Sequence, residues 1–412
     1  MEVKAGYKQT DVGVIPEDWE VKSLESILNR GRLGGNYPNQ DIESSKPLIK
    51  MGNIARGNID LEKVEYIPDS VSPAPEHQLH FGDVLFNTRN TLDLVGKVAI
   101  WRDELPVAYY NSNLMRLEFD PKEISSNAFA NLILNSQSSI ARLRSIATGT
   151  TSVAAIYTRD LLNFKFPVSD KIEQCAIATA LSDVDALITS LDKLIAKKRD
   201  IKQAAMQELL TGKRRLPGFS EDWKLKRLRD LILDIADGGT PSTSRTNYFG
   251  GRINWIVIED IKDEIFSTRQ TLTEEGVLHS SSRIWPPGTV ILSTGATIGE
   301  VGIIKVSSAT KQGICGIVVN ESTDSVFLKY WFKQNKPLLL AKAQGSSIRE
   351  VRPPTLVKLE LNVPAIEEQT AIATVLSDMD AELAALEQKR GKTKAIKQGM
   401  MQELLTGRIR LV

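Results

Sequence analysis

The side chains that most often carry enzymatic or metal chemistry are few in this chain, and they form no set. Only three histidines are present, and His77 and His80 in EHQLH are spaced three apart without the further ligands that a metal needs. Cys175 and Cys315 lie far apart in the sequence, in no metal-type spacing. We therefore predict no metal site, and we interpret the cysteines as two idle thiols in a reducing compartment.

Other stretches resemble catalytic motifs only in part. The segment STGATIGEVG (Ser293–Gly302) has the glycines of a phosphate loop but lacks the G-K-[ST] ending, so a strand and hairpin is the better interpretation. Carboxylates such as Asp120, Asp183 and Asp378 have no paired nucleophile or base in a recognisable pattern. The sequence shows no Ser–His–Asp or Cys–His set, no dinucleotide fingerprint and no NPPY-like tetrapeptide of adenine methyltransferases. We therefore expect a protein that is not an enzyme.

Charge is distributed unevenly along the chain. The formal net charge of +1 predicts no partner by itself. Four local clusters are basic, however: AKKRDIK (Ala196–Lys202), GKRRL (Gly212–Leu216), QKRGKTKAIK (Gln388–Lys397) and GRIRL (Gly407–Leu411). Basic clusters often face nucleic acid, although the solvated face of a helix is the alternative for each of them.

A long internal repeat organises the chain. The heptapeptide MQELLTG occurs at Met206–Gly212 and again at Met401–Gly407. The similarity extends without a gap from Glu173 and from Glu368 onward, with more than half of the positions identical. A repeat of this length indicates the duplication of half a protein rather than a solenoid array.

Each copy of the repeat predicts one long helix. Neither copy contains an internal proline, and alanine, leucine, lysine and glutamate dominate. Apolar residues recur in alternating steps of four and three, which is the pattern of a coiled-coil seam. They are Ile177, Leu181, Val184, Ile188, Leu191 and Ile195 in the first copy, and Ile372, Leu376, Met379, Leu383 and Leu386 in the second. About 40 residues at roughly 1.5 Å each give a rod of about 60 Å, with Gly212 and Gly407 at the expected C-caps.

The two rods could each pack on their own domain, but we favour a model in which the thin seams meet. The second helix is less apolar beyond Leu386, where Arg390, Gly391 and Thr393 replace hydrophobic steps. Its far end could fray, pair through polar contacts or offer a docking surface, and the sequence does not decide among these.

Weaker similarities relate the segments that precede the helices. IPEDWEVKSLESIL (Ile15–Leu28) resembles FSEDWKLKRLRDLI (Phe219–Ile232), and FGDVLFNTRNTLDLVGKVAI (Phe81–Ile100) resembles PPGTVILSTGATIGEVGII (Pro286–Ile304). The order is therefore globular, helix, globular, helix. The segment EDW that follows the first MQELLTG has its counterpart at the N-terminus, so the repeat is nearly circular and predicts a pseudo-two-fold arrangement with antiparallel helices.

The bulk composition is that of an ordinary globular protein with two cores. Hydrophobic residues make up 42% and charged residues 25% of the 412 positions. No apolar run of about 18 residues is present, and the N-terminus has no stretch of signal-peptide type. We expect a cytoplasmic protein.

This organisation, with its EQxAIAxxLSDxD and MQELLTG helices and its IPEDW opening, resembles the specificity subunit of type I restriction–modification systems over essentially the whole chain. The resemblance implies an α/β (α+β) architecture: two target-recognition domains joined by two long antiparallel coiled-coil helices, pseudo-two-fold and quasi-circular. The segments would be 1–170 (target-recognition domain 1), 171–216 (helical spacer 1), 217–366 (target-recognition domain 2) and 367–412 (helical spacer 2).

The resemblance also implies a function and a set of partners. Each domain would read one half of an asymmetric bipartite sequence in double-stranded DNA, and the helices would set the spacing and recruit two modification subunits. Restriction subunits would join for cleavage. This chain would carry no cofactor, since S-adenosylmethionine, ATP and magnesium are expected on the partner subunits. A stand-alone enzyme with unfamiliar motifs and a coiled-coil adaptor with two protein-binding heads are the competing interpretations.

Loops that combine glycine with hydroxyl, amide and guanidinium groups are the candidates for DNA contact. Glycine lets the backbone approach closely, and the polar groups reach phosphates and base edges. Ordinary turn chemistry is the alternative for any single loop. The candidates in domain 1 are Arg32, Asn36, Lys50, Asn53, Arg56, Thr88, Arg89, Asn90, Thr150 and Thr151. Those in domain 2 are Thr240, Ser242, Ser244, Arg245, Ser293, Thr294, Thr297, Gln312, Ser346, Ser347 and Arg349.

Overall fold

The computed structural model describes residues 4–150, 152–295, 297–344 and 349–411. The predicted fold class is confirmed, because the chain contains two mixed helix-and-sheet domains and two helices of 39 residues. The chain divides into two compact units, Met1–Asp192 with Lys389–Val412, and Lys193–Gln388. Unit 1 therefore holds domain 1, and unit 2 holds domain 2, each with a part of both long helices.

The two long helices are the first long helix, Lys171–Leu209, and the second long helix, Ile366–Leu404. Both contain the helix-favouring composition expected from the sequence, and neither contains a proline after its first turn. Beyond their ends, Gly212 and Gly407 have φ angles of +70° and +67°. These left-handed conformations suit glycine, and they confirm the C-caps predicted from the repeat.

Ion pairs within each unit show that the helix segments run antiparallel. In unit 1, Asp185 Oδ1 lies 2.6 Å from Lys397 Nζ, and Asp192 Oδ1 lies 3.0 Å from Arg390 Nη1. In unit 2, Lys202 pairs with a lower residue number on the second long helix than Lys198 does, which again indicates an antiparallel course. The pairs there are Lys198 with Glu382, Arg199 with Glu387 and Lys202 with Asp380.

The second long helix continues through Gly391 without interruption. In this stretch Thr393 is 8% exposed, and its hydroxyl donates to the carbonyl of Lys389 at 2.9 Å. Together with the ion pairs of Arg390 and Lys397, this supports pairing through polar contacts among the three alternatives that the sequence left open.

Domain 1 is built on a four-stranded sheet, whose strands lie in the order β4 (Leu28–Leu33), β11 (Leu114–Phe119), β7 (Val84–Asn87) and β9 (Val98–Ile100). Two helices, Asn127–Leu134 and Gln137–Ser145, follow the strand Leu114–Phe119 in sequence, and Leu24–Ile27 and Thr158–Leu162 are shorter. The strands of domain 1 are β1 Tyr7–Thr10, β2 Gly13–Pro16, β3 Glu20–Ser23, β4 Leu28–Leu33, β5 Pro47–Ile49, β6 Glu65–Tyr66, β7 Val84–Asn87, β8 Arg89–Asn90, β9 Val98–Ile100, β10 Tyr109–Tyr110, β11 Leu114–Phe119, β12 Thr148–Gly149, β13 Ala154–Ala155 and β14 Lys165–Val168.

Domain 2 repeats this plan in a five-stranded sheet. Its strands lie in the order β16 (Ile232–Asp237), β24 (Ile314–Val319), β21 (Val290–Ser293), β22 (Val301–Ile304) and β18 (Glu264–Ile265). Its helices are Glu274–Leu278, Ser325–Gln334, Lys336–Lys342 and Pro353–Leu356. Its strands are β15 Lys224–Arg227, β16 Ile232–Asp237, β17 Phe249–Ile256, β18 Glu264–Ile265, β19 Gln270–Leu272, β20 Ile284–Trp285, β21 Val290–Ser293, β22 Val301–Ile304, β23 Ser308–Thr310, β24 Ile314–Val319 and β25 Glu360–Val363.

The ends of the long helices complete the core of each domain. Ile177 and Leu181 from the first long helix and Leu404 from the second are buried in the core of domain 1. Leu209 and Leu376 occupy corresponding places in the core of domain 2. Burying a leucine or isoleucine side chain contributes roughly 1.5–3 kcal/mol, so each domain depends on both helices for its stability.

A buried glutamate at the start of each long helix ties three segments together. In unit 1, Glu173 is 0% exposed and accepts hydrogen bonds from Trp19 Nε1 at 2.8 Å and Arg410 Nε at 2.6 Å. In unit 2, Glu368 accepts from Trp223 Nε1 at 3.2 Å and from Arg215, which is bidentate at 2.7 Å. These two clusters, the Glu–Arg–Trp junctions, explain why EDW and the arginine after MQELLTG recur together.

The junction of unit 1 predicts the effect of replacing Arg410. The hydrogen bonds with Glu173 and Asp18 raise the pKa of Arg410, and removing the guanidinium leaves the buried carboxylate of Glu173 without its cation. Arg410→Ala should lower the free energy of unfolding of unit 1 by about 2 kcal/mol, less than a fully buried pair because this arginine is partly exposed. Urea unfolding followed by tryptophan fluorescence measures the change.

Arg408→Ala is the matched control. Among the described residues, the side chain of Arg408 makes only a surface pair with Glu403 at 3.4 Å, so its loss should change stability by well under 1 kcal/mol. Equal stability of the two variants would show that the junction does not hold the helix ends in place.

Candidate nucleic-acid interface

Most of the polar loops predicted from the sequence meet at one end of each central sheet. In domain 1, the amide of Gly34 donates to the carbonyl of Leu114 at 3.0 Å, and the amide of Thr88 donates to the carbonyl of Asn113 at 3.0 Å. The amide of Gly96 donates to the carbonyl of Asn87 at 2.9 Å. These bonds bring four loops together, and we name them the loop edge of domain 1. It comprises Gly34–Asn36, Thr88–Asn90, Gly96–Lys97 and Asn111–Asn113.

Domain 2 has the same arrangement. The amide of Gly238 donates to the carbonyl of Ile314 at 3.1 Å, and the amide of Thr294 donates to the carbonyl of Gly313 at 2.8 Å. The loop edge of domain 2 therefore comprises residues 238–240, 294–295, 297, 299–300 and 311–313. The backbone scaffold of the two edges is equivalent, whereas their side chains differ.

Paired glycines at each edge have a packing role. A Cβ at Gly34 would lie 2.2 Å from the carbonyl oxygen of Tyr110, and a Cβ at Gly238 would lie 2.2 Å from that of Thr310. Only glycine allows the chain to cross the neighbouring loop this closely. The glycines of RLGGN and ADGGT therefore shape the edge, and the residues that follow them supply the polar groups.

Four predicted residues of domain 1 are brought together. Arg89 and Asn90 form β8, which pairs with β13, and β13 pairs with β12, whose hairpin carries Thr150. Arg89 is exposed and has no ion-pair partner among the described residues. Thr88 instead donates its hydroxyl to the carbonyl of Asn113 at 2.8 Å, which fixes the loop. Thr151 lies outside the described residues.

Other candidates in domain 1 have partners within the protein. Lys50 Nζ lies 2.8 Å from a carboxylate oxygen of Glu65, and this pair lowers the pKa of Glu65. Asn53 is only 5% exposed, and its amide bonds to the backbone of Lys50, Asp60 and Lys63. These contacts give Asn53 a structural role in its turn.

Two further candidates of domain 1 lie next to the glycine pair of the loop edge. Arg32 lies on β4 with Nη1 3.7 Å from Glu76, and Asn36 is exposed at the end of the glycine loop. DNA contact by either residue stays a prediction.

In domain 2 the candidates fall into two groups. Ser293 and Thr294 are 0% and 4% exposed, and Ser293 accepts from the amide of Glu300 at 2.8 Å, so both hold the loop in shape. Thr297 and Gln312 are exposed at the loop edge. They remain candidates for direct contact.

The other candidates of domain 2 follow the glycine pair or the helix Lys336–Lys342. Ser242 and Ser244 share a hydrogen bond of 2.9 Å between their hydroxyls, and the exposed Arg245 lies over the ring of Tyr248 at 5.7 Å. Thr240 is half-buried and Arg349 is exposed. Ser346 and Ser347 lie outside the described residues.

Three cations lie near one another at one side of the loop edge of domain 1: Arg56, Lys97 and Arg144. Of these, the sequence predicted only Arg56 as a DNA-contacting residue. Burial lowers the pKa of Arg56, and the nearby Arg144 lowers it further. Burial and then Arg56 lower the pKa of Lys97. Both terminal nitrogens of Arg56 are buried without a hydrogen-bond partner among the described residues. Arg144 lies 3.7 Å from Asp93, whereas Arg56 and Lys97 have no ion-pair partner among the described residues, so this side of the loop edge is electropositive.

The corresponding place in domain 2 is neutralised. Lys97 precedes β9 as Glu300 precedes β22, and Glu300 forms an ion pair of 2.7 Å with Lys336. The sequence contained a signal of this difference, because GKV at Gly96–Val98 aligns with GEV at Gly299–Val301. Charge complementarity to phosphate is thus stronger in domain 1 at this position.

Two features of the described residues bear on other classes of function. No cluster of three or more histidine, cysteine, aspartate or glutamate residues is arranged there to hold a metal ion. Among the helices of the described residues, none has the length and apolarity needed to cross a membrane.

The chain is built from a duplicated unit, in which each domain carries a polar loop edge and is completed by two long helices. The family model of the type I restriction modification DNA specificity domain matches residues 16–200 and 220–398. The chain therefore belongs to the family of type I restriction–modification specificity subunits, as its sequence predicted, and its function is DNA recognition within such a system.

Individual proteins support this assignment. The chain is 26% identical to the putative type I restriction enzyme MjaX specificity subunit of Methanocaldococcus jannaschii, over 98% of this chain and 97% of that protein. The type I restriction–modification S subunit of M. genitalium is similar in structure, with a TM-score of 0.59 and 15% identity over 98% of both chains. A chain from a structure of a type I R-M system has a TM-score of 0.58 and 17% identity, covering 96% of this chain and 99% of that one. These two likenesses show the fold.

The electropositive side of domain 1 predicts a change in the salt dependence of DNA binding. Lys97→Gln should weaken binding to all duplexes by a similar factor, because a phosphate contact carries no base information. It should also reduce the slope of log K against log salt concentration by about 1. Fluorescence anisotropy with the assembled complex at several salt concentrations measures both.

Lys122→Gln provides the matched control for this experiment. Lys122 is exposed in the loop after β11, at the opposite end of the sheet. Its replacement should leave the slope unchanged. If both variants gave the wild-type slope, Lys97 would not contact the DNA backbone.

Proposed function

We propose that each domain reads one half of an asymmetric bipartite sequence in double-stranded DNA through its loop edge. The observation that carries this proposal is that two equivalent sheet edges present different polar side chains. Equivalent scaffolds approach DNA in the same way, and different side chains then select different bases. The family membership supplies the DNA target, and the loop edges supply the candidate reading surfaces.

The two long helices, in this proposal, set the spacing of the half-sites and dock two modification subunits. A helix has a fixed rise per residue, so an uninterrupted pair of helices suits a fixed gap, much as dimer geometry sets half-site spacing in other DNA-binding proteins. The antiparallel ion pairs within each unit support a stiff pair of helices.

The chain acts as a non-catalytic subunit in the cytoplasm, and restriction subunits join the complex for cleavage. S-adenosylmethionine, ATP and magnesium serve the partner subunits. Isothermal titration of S-adenosylmethionine into the isolated chain tests whether this chain itself binds the methyl donor. Tight binding, or methylation of DNA by the chain alone, would favour the alternative of a stand-alone enzyme.

Exposed arginines at the two edges predict separate effects on the two half-sites. Arg89→Ala should weaken recognition of the half-site read by domain 1, and Arg245→Ala that of the other half-site, each by about 1–3 kcal/mol if the contact is a bidentate bond to a base. Competition binding of the assembled complex to duplexes altered in one half-site measures this. A uniform loss over all sequences would indicate a phosphate contact, and the absence of any preference among random duplexes would favour a protein-binding adaptor.

The helices predict the effect of a paired insertion. Seven residues inserted after Asp192 and seven after Gln388 keep the heptad phase and lengthen both helices by about 10 Å. The preferred gap should grow by about three base pairs at roughly 3.4 Å each, while both half-sites stay the same. Selection of bound duplexes from a library with variable gaps measures the shift.

Seven residues inserted after Asp192 alone serve as the control, because they break the register of the ion pairs and should abolish a defined gap. An unchanged gap in the paired variant would show that the helices are not the spacer.

A further inference from the structure

The loop edge of domain 2 contains a small cavity that mixes one acid with hydrogen-bond donors. Its volume is about 230 Å³. Its wall includes Glu259 from the turn after β17, Thr297 from the loop after β21, and Lys311 and Gln312 from the loop before β24. The sequence identified Thr297 and Gln312 as candidates but gave no indication of Glu259.

The polar side chains of this cavity are available for a ligand. Glu259, Thr297, Lys311 and Gln312 are all exposed, and their side chains make no hydrogen bond or ion pair with another described residue. Lys311 is positioned by the ring of Trp255, whose centroid lies 5.7 Å from its Nζ. The cavity therefore offers one acceptor-only group, one donor-only group and two groups that can do both.

The floor of the cavity is fixed by the backbone. The amides of Thr294 and Gly295 both donate to the carbonyl of Gly313, at 2.8 Å and 3.2 Å. A Cβ on Gly295 would lie 3.4 Å from the Cα of Gly313, so the two loops are in close contact. Groups held on such a rigid floor are preorganised, which lowers the entropy cost of binding.

The turn that carries Glu259 has a counterpart in domain 1. Asp260 accepts from the amide of Val257 at 3.2 Å, as Asn53 accepts from the amide of Lys50 at 2.9 Å. The residue that corresponds to Glu259 is Gly52, where an added Cβ would meet nothing within 4 Å. The position therefore has no packing role on this scaffold, and the carboxylate is specific to domain 2.

A carboxylate on a DNA-facing edge needs a specific donor. It is repelled by phosphates, so it does not contribute to non-specific affinity. In the major groove the exocyclic amino group of cytosine is a donor that glutamate or aspartate accepts from, and the paired guanine presents two acceptors that suit lysine. One carboxylate and one ammonium in a single cavity match the two halves of a C·G pair.

We propose that Glu259 is a specificity-determining residue of domain 2, which accepts a hydrogen bond from the amino group of a cytosine while Lys311 donates to the paired guanine. This inference rests on the proposed function of the loop edges. It adds the base pair that this cavity selects.

The test uses the assembled modification complex and a library of duplexes randomised over both half-sites. Glu259→Gln should reduce the preference for cytosine at one position of one half-site by about 10-fold, which is the scale of a single good base contact. Lys311→Ala should relax the same base pair. The half-site read by domain 1 should stay at wild-type selectivity, which reports that the variant is folded and active.

Glu321→Gln is the matched control, because Glu321 is exposed beyond the opposite end of β24 and has no partner among the described residues. It should leave every position unchanged. A Glu259→Gln variant with the wild-type cytosine preference, or one that relaxes an adenine position instead, would overturn the assignment. A wild-type complex with no bipartite preference would show that the proposed function itself is wrong, whereas a bipartite preference without this cytosine contradicts only the present inference.

Discussion

The architecture depends on a charge that is buried where each long helix begins. Glu173 and Glu368 are 0% and 2% exposed, and a buried carboxylate is stable only when cations and hydrogen-bond donors surround it. Each one finds an arginine from beyond the end of the other long helix and a tryptophan from the segment before its own domain. The interaction therefore joins the start of one long helix to the segment beyond the other long helix and to the segment before the domain, at one point in each unit.

This junction explains why the repeat is circular in sequence. In unit 2, Arg215 and Trp223 are neighbours on a continuous chain, whereas in unit 1 their counterparts Arg410 and Trp19 come from opposite ends of the sequence. The same contacts form in both cases. Tyr7 adds a further bond in unit 1, since its hydroxyl donates to the carbonyl of Gly407 at 3.0 Å. Function can then be varied in the loops, because the junction keeps the scaffold constant.

The long helices could be predicted from the sequence because their signal is local and is repeated. Heptad spacing, the absence of internal proline and the glycine after MQELLTG each act within a few residues. The loop edges could also be located, since glycine-rich polar segments follow apolar runs in both domains. The interpretation of Arg390 and Thr393 needed the structure, because the partner of Arg390 lies on the other helix.

The role of single residues at the edges was harder to predict. Asn53, Ser293 and Thr294 have the composition of DNA-binding loops, but their hydrogen-bonding groups are consumed or buried within the protein. Composition cannot show this, because the partners are backbone groups brought close by folding. Glu259 was missed for the opposite reason, since an acid in a DNA-binding protein becomes meaningful only when its neighbours in the cavity are known.

The two edges share a scaffold and differ in charge, and the proposal that they read two unlike half-sites depends on this difference. In domain 1 the cations Arg56 and Lys97 beside β9 have no ion-pair partner among the described residues, whereas domain 2 has the ion pair of Glu300 and Lys336 at the corresponding place. The most direct test of this claim is to map every methylated adenine in DNA exposed to the assembled modification complex. The account predicts two different short sequences separated by a constant, unspecified gap. A single continuous sequence, or two identical half-sites in inverted orientation, would contradict it.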